Sequence, residues 1–200
     1  MWARLESNTI VEILTRPKAL TIGDINYPSN IFSMWSNAEL ATLGIVPVTV
    51  DSTNLKDKEY YINTDVTYAY STETGKATGT YGTATAKAIA DTLYTAQDET
   101  DGLGTEGEVK QRGLKYEHKE RINAQAAGHL QPTDWMVVRA AEGGTAVPSS
   151  ITTKRAAVRT KANAMCVQID AASDVDALAA LYVYNDAETP VRPLGELPTV

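Results

Sequence analysis

The stretch WARLESNTIVEIL, from Trp2 to Leu14, decides how the chain begins to fold. Apolar and polar residues alternate on both sides of its centre, as in a half-buried strand. Ser7 and Asn8 separate the two β-prone runs, which predicts a β-hairpin even without the favoured glycine. Arg16-Pro17 ends the second run, because proline cannot donate a backbone hydrogen bond. We therefore expect two antiparallel strands at the start of the chain.

A short helix is predicted after the hairpin, over about residues 37–42. Ser36 precedes Glu39 by three residues, which is the spacing of a capping box. Gly44 follows the helix and suits a left-handed C-cap, which most other residues adopt only at a cost.

Further β-prone runs cover residues 45–50, 59–70 and 76–81. Pro47 interrupts the first of them and predicts an edge strand or a bulge. Together with the hairpin, these runs predict a β-rich docking domain over residues 1–82.

From residue 83 the apolar spacing changes to one that fits a helix better than a strand. Residues 97–108 are acidic and rich in glycine, which is typical of a linker. We therefore predict a helix followed by an acidic, glycine-rich linker over residues 83–108.

The same stretch partly matches a calcium-binding loop. If Gly102 is the turn glycine, then Glu99, Asp101 and Glu108 fall on ligand positions, whereas Gln97 stands where an aspartate is needed. A solvated linker is the better interpretation, and calcium binding stays open.

The second half of the chain predicts helices. One covers about residues 109–128, and another begins after the N-cap candidates Ser149 and Ser150 and continues to about Ala171. These predict a helical domain over residues 109–182, followed by an extended tail over residues 183–200 with three prolines, loose or lying on a neighbouring chain. The fold class is therefore α+β: a small N-terminal β-rich domain, then a C-terminal helical hairpin or bundle.

Composition and charge exclude several classes of protein. The 200 residues include 18 Lys and Arg against 25 Asp and Glu, a net charge of −7, which argues against nucleic-acid binding. No apolar run reaches the roughly 20 residues needed to span a bilayer, so we expect no membrane partner. The first ten residues carry Arg4 and Glu6, unlike a signal peptide. The single cysteine, Cys166, excludes an internal disulfide.

Residues that carry chemistry are sparse. His118 and His129 are too far apart along a helix to share a metal, and no close ligand spacing exists, so both are expected to be solvated. No GxSxG motif occurs, and Cys166 falls in a predicted helix, where a structural thiol is expected. We therefore predict no catalytic, cofactor-binding or metal-binding residues and no enzymatic activity. A carboxylate pair that cleaves polysaccharide stays an alternative, because any two of 25 acids can face each other in a fold.

Aromatic composition indicates surfaces that are partly wet. The chain has 10 tyrosines and one phenylalanine. Tyrosine joins a large apolar ring to a polar tip and therefore suits contact surfaces. Four tyrosines in the β-rich domain are predicted to contact a partner chain: Tyr60, Tyr61, Tyr68 and Tyr70.

Residues 114–182 resemble a module near the C-termini of tail and tail-fibre proteins of tailed bacteriophages. The residues that carry the resemblance are Thr133-Asp134-Trp135, then Arg139, Pro148 and the pair Arg155 and Arg159. The run from Tyr27 to Phe32 and the nearby Trp35 and Gly44 are similar to the opening of small tail-associated phage proteins.

The module also has a physical interpretation. Trp135 is expected to be a buried anchor between two helices. Arg139, Arg155 and Arg159 are expected to donate forked hydrogen bonds to carbonyls or to Glu142. The same four residues, Trp135 and the three arginines, are the predicted contacts of the helical domain.

The resemblance implies a structural virion protein of a tailed phage, in the tail, baseplate or proximal tail fibre. Such a protein is made in the host cytoplasm and acts by docking on other virion subunits and on copies of itself. Three alternatives stay open: a tail-fibre assembly chaperone, a receptor-binding fibre tip and a polysaccharide depolymerase.

Overall fold

The computed structural model describes residues 1–200 and confirms the α+β class, with a β-rich N-terminal part and a helical C-terminal part. The chain forms two compact units, Met1–Thr85 and Ala86–Val200. None of its helices has the length and apolar character needed to cross a membrane.

The first unit is built on a five-stranded mixed sheet. Its strands and helices are β1 (Trp2–Glu6), β2 (Thr9–Leu14), β3 (Leu20–Ile22), β4 (Ile25–Tyr27), α1 (Ile31–Met34), α2 (Asn37–Thr42), β5 (Ile45–Asp51), β6 (Tyr61–Ile62), β7 (Val66–Ser71) and β8 (Lys76–Tyr81). A ninth strand, β9 (Thr85–Ala86), lies at the boundary between the units. The order in the sheet is β2-β1-β5-β8-β7, and only β5 and β8 pair in parallel. The two outer strands, β2 and β7, contact each other, so the sheet curls.

Each face of the sheet carries its own apolar cluster. Ala3, Val46 and Ala77 pack with Tyr70 and other half-buried residues inside the curl. Side chains alternate across a strand, so the neighbouring positions face the other way. There they form a second cluster with the two helices and the β3–β4 hairpin: Leu14, Leu20, Ile31, Phe32, Leu40 and Ile45.

Local signals in the first unit act as the sequence predicts. Ser7 and Asn8 both have positive φ, at 50° and 63°, and form the hairpin turn between β1 and β2. The capping box at the start of α2 is complete, since the Ser36 and Glu39 side chains each accept from the other residue's backbone N–H.

Pro47 does not put β5 at an edge, because β5 lies between β1 and β8. β5 pairs with β1 from Ile45 to Pro47, and it pairs with β8 from Val48 onward. The Val48 N–H donates to the Met1 carbonyl and therefore points to β1. The backbone nitrogen of Pro47 then points to the other side, toward β8, where the pairing of β5 with β8 has not yet begun. The proline therefore removes no ladder hydrogen bond.

The second unit contains a small hairpin and a helical hairpin. Its elements are β10 (Thr92–Leu93), α3 (Ala96–Thr100), β11 (Val109–Gln111), α4 (Leu114–Leu130), a 3₁₀ turn (Gln131–Thr133), α5 (Asp134–Ala141), α6 (Ser149–Ala171) and α7 (Val175–Ala180). α4 and α6 pack together through Ile122, Ala126, Val158 and Ala162, all buried.

Two expectations for residues 83–108 are wrong. The predicted helix after residue 83 is absent: the carbonyls of Ala88 and Ile89 instead accept from the first backbone N–H groups of α4, at 3.0 Å each. The predicted linker over residues 97–108 is instead part of the second unit: it contains most of α3, and the paired strands β10 and β11 lie on either side of it. A capping box at Thr95 and Asp98 starts α3, a signal that the acidic composition concealed.

The C-terminal tail is folded back on its own unit. Leu194 is fully buried, and its backbone N–H donates to the Leu181 carbonyl at 3.0 Å. The Lys161 ammonium donates to the Leu194 carbonyl at 2.9 Å, and His129 Nδ1 lies 3.0 Å from the Pro198 carbonyl. The expectation of a loose tail, or one lying on a neighbour, is therefore replaced by a packed one.

Gly44, in the link between α2 and β5, lies close to the backbone of β1, and a substitution there tests this approach. A Cβ atom there would lie 2.6 Å from the Leu5 carbonyl oxygen, and φ is +72°. We expect Gly44→Ala to lower the free energy of unfolding of the first unit by more than the about 1–2 kcal/mol that a left-handed residue costs. The control is Gly23→Ala, where φ is +60° and no atom lies within 4 Å. Equal losses in urea unfolding of the two variants would show that the approach to Leu5 has no cost.

Leu194 tests the docking of the tail. Replacing this fully buried side chain in Leu194→Ala removes apolar contacts and leaves a cavity, so we expect a loss of about 2–5 kcal/mol in unfolding free energy. Val191→Ala, at an exposed position of the same tail, is the control and should change little. A Leu194→Ala protein that unfolds at the wild-type urea concentration would contradict the packed tail.

Candidate functional site

The helix α5 is apolar but has no buried residue. Trp135 is 56% exposed and Val138 55% exposed, and Val137 is also exposed. A helix of a globular protein normally turns its apolar stripe to the core, and contiguous exposed apolar surface marks an interaction site. α5 is therefore the strongest candidate for a functional surface in the second unit.

Arg155 of α6 fixes α5 in place. Its guanidinium donates to the Leu130 carbonyl at 2.7 Å, to the Thr133 hydroxyl at 2.6 Å and to the Asp134 carboxylate at 2.7 Å. These acceptors lie at the end of α4, in the 3₁₀ turn and at the start of α5. Only 11% of the Arg155 side chain is exposed, so its charge is shielded from competing water. The exposed helix is thus held by a defined network.

Trp135 and Arg139 form a stacked pair on the outer face of α5. They are one helical turn apart, and the guanidinium lies 4.8 Å from the centre of the indole ring. The Nε atom of Arg139 is buried and makes no hydrogen bond, so stacking rather than hydrogen bonding holds this guanidinium.

The prediction that Trp135 is a buried anchor is wrong. Trp135 lies on α5 and is 56% exposed, whereas the residues buried between α4 and α6 include Ile122, Ala126, Val158 and Ala162. The prediction of arginine forks is confirmed only at Arg155, which reaches the Leu130 carbonyl. No hydrogen bond joins Arg139 or Arg159 to Glu142.

A groove runs along the inner side of α5. Val137, Val147 and Thr152 line it together with Arg155 and Arg159, and its volume is about 260 Å³. Pockets for small-molecule ligands usually hold about 300–1,000 Å³. This groove is thus suited to one or two side chains of a partner.

The predicted tyrosine contacts lie in the first unit and are unequal. Tyr68 and Tyr70 share one face of β7 and are half-buried, as is Tyr61. Tyr60 is buried, at 7% exposure, and belongs to the interior. Nine of the 10 tyrosines in the chain are half-buried or exposed, as the composition predicts for aromatic surface near water.

His118 is buried, contrary to the expectation that both histidines are solvated. Its Nδ1 atom lies 2.7 Å from the Tyr182 hydroxyl, and the two rings pack together. Leu114 and Ile122 stand four residues before and after it, so the buried stripe of α4 passes through position 118. That spacing was visible in the sequence.

The remaining candidates for chemistry are engaged in structural contacts. Burial raises the pKa of the half-buried Cys166 thiol, which leaves less thiolate at neutral pH. Hydrogen bonds from Lys110 and from Thr95 lower the pKa of Asp98 to about 2. No three His, Cys, Asp or Glu residues are grouped so that they could hold a metal ion.

Compared with known proteins, the chain matches no family model, no curated protein and no solved structure. The phage resemblance of residues 114–182 therefore stays a prediction.

Arg155 tests how firmly α5 is positioned. We expect Arg155→Lys to lower the unfolding free energy by about 1.5–3 kcal/mol, because lysine cannot reproduce the fork and leaves acceptors unpaired. Arg159→Lys, one turn later on α6 with no hydrogen bond, is the matched control and should change stability by less than about 0.5 kcal/mol. Urea unfolding measures both, and equal effects would contradict the network.

Proposed function

We propose that this protein is a structural component of a tailed phage particle, in its tail, baseplate or proximal fibre, and that it acts by docking on other protein chains. The observation that carries the docking role is α5, an apolar helix with no buried residue. The phage assignment is supported by the sequence resemblance of residues 114–182, and α5 falls within that segment.

The outer face of α5 has the composition of a contact hot spot. Tryptophan and arginine are enriched among the residues whose truncation most weakens interfaces. Trp135 and Arg139 already stack on each other, so their side chains lose little conformational entropy when a partner binds. Val138 extends the apolar area beside them.

The burial of this face supplies a useful binding energy. Complete burial of an exposed large apolar side chain contributes about 1.5–3 kcal/mol. Trp135 and Val138 are each little more than half exposed, so each supplies only part of that amount.

Double substitution of the outer face tests the proposal in the phage that encodes the chain. We expect mass spectrometry to detect the wild-type protein in gradient-purified particles. The double variant Trp135→Ser with Val138→Ser should be depleted from particles by tenfold or more, because the docking surface is lost.

The control is Val167→Ser, which changes a residue 67% exposed on α6 and should leave incorporation unchanged. A protein needed for infectious particles but absent from them would indicate the chaperone alternative. Incorporation of the double variant at the wild-type level would contradict docking through α5.

A further inference from the structure

We propose that two copies of this chain bind each other by a loop-in-groove contact, in which Leu103 of one copy enters the groove beside α5 of the other. The contact goes beyond the proposed function, because it uses the inner side of α5 and specifies a second copy as the occupant. It leaves the outer face with Trp135 available to another virion protein.

Leu103 stands at the tip of an ordered turn. Its side chain is 60% exposed, although its backbone N–H donates to the Asp98 carbonyl at 2.9 Å. The Tyr94 ring packs directly on the next residue, Gly104, where a Cβ atom would lie 2.5 Å from the ring. An apolar side chain displayed by a fixed turn gives up little conformational freedom on binding.

The surroundings of Leu103 are acidic. Residues 88–109 contain no Lys or Arg and six acids: Asp91, Asp98, Glu99, Asp101, Glu106 and Glu108. Asp98 is paired with Lys110 and Asp101 accepts from Gln97, whereas the carboxylate of Glu106 makes no hydrogen bond or ion pair. The turn therefore presents an apolar tip beside an available negative charge.

The groove has the complementary character. Val137 and Val147 supply apolar walls, and Arg159 lies beside them with no hydrogen bond or ion pair. The volume of about 260 Å³ suits a single aliphatic side chain with its flanking backbone. The turn offers one leucine and one acid, and the groove offers two valines and one arginine.

Charge on the wider scale favours the same pairing. Residues 134–170 carry five basic side chains and three acids, Asp134, Glu142 and Asp170, and so are net positive in a chain whose net charge is −7. The basic residues are Arg139, Lys154, Arg155, Arg159 and Lys161. Opposite potentials on two surfaces steer them together and suppress wrong orientations.

The contact joins different copies. Within one chain the turn does not reach the groove, since Leu103 is exposed and does not line it. Each copy carries both a turn and a groove, so two copies can exchange contacts or several can form a ring.

Sedimentation velocity over a range of protein concentrations tests this contact on the full chain. We expect wild-type protein to form species at multiples of 21.6 kDa. Leu103→Ser and Arg159→Glu should each weaken association by about tenfold or more, through loss of apolar burial and of charge pairing. Higher salt should weaken the wild-type association too, because it screens the charges.

Two control substitutions match these changes at sites outside the contact. Val167→Ser removes a similarly exposed apolar side chain from α6, and Lys58→Glu reverses an exposed charge in the first unit. Both should associate as the wild type does, and circular dichroism verifies that every variant is folded.

A charge exchange provides the decisive comparison. We expect the Glu106→Arg protein and the Arg159→Glu protein each to associate weakly. A chain that carries both substitutions should associate again, because the two charges of the contact are then exchanged between turn and groove. A monomeric wild-type protein at every concentration, or association that is unchanged by Leu103→Ser, would overturn the proposal. Trp135→Ser with Val138→Ser should leave self-association intact, so the outcome is independent of the particle experiment.

Discussion

The hydrogen bonds of Arg155 are the interaction on which the second unit depends most. One guanidinium joins the last carbonyl of α4, the 3₁₀ turn and the first residue of α5. Helix ends leave carbonyls without partners, and a planar fork of donors satisfies them in a single geometry. Without this network α5 has no buried side chain to hold it. The exposed apolar face of α5 is therefore held in a fixed position by Arg155, unlike the end of a helix that frays.

The first unit is stabilised by a different constraint. Its sheet carries an apolar cluster on each face, so both faces must be covered. Curling covers one face, because the outer strands come into contact, and two short helices with the β3–β4 hairpin cover the other. The close passage of Gly44 against β1 permits this arrangement. The tyrosines of β7 lie where the interior meets solvent, which explains their half-buried state.

Signals confined to a few neighbouring residues were reliable guides to the fold. The turn at Ser7 and Asn8, the capping box at Ser36 and the apolar stripe of α6 all follow from local chemistry, although α6 begins at Ser149 with Pro148 as its N-cap, and neither predicted serine caps it. Features that need distant partners were missed. The carbonyls of Ala88 and Ile89 are hydrogen-bonded to the start of α4, and the backbone of Leu194 is hydrogen-bonded to Lys161 and Leu181.

The candidate site shows the same division between local and distant information. The sequence singled out Trp135, Arg139, Arg155 and Arg159, yet it placed Trp135 in the interior. Arg155 makes hydrogen bonds and Arg159 makes none, because only Arg155 reaches the acceptors at the end of α4 and in the 3₁₀ turn. Those acceptors are 22 and 25 residues away along the chain. No local pattern specifies which arginine reaches them.

Hydroxyl-radical footprinting of Trp135, in the free protein and in purified phage particles, measures whether the outer face of α5 is covered by a partner chain. We expect rapid oxidation of this side chain in the free protein, where it is 56% exposed, and strong protection in the particle if α5 docks as proposed. Val167, exposed on α6, serves as the internal reference and should react equally in both. Equal oxidation of Trp135 in the free and assembled states would contradict docking through α5.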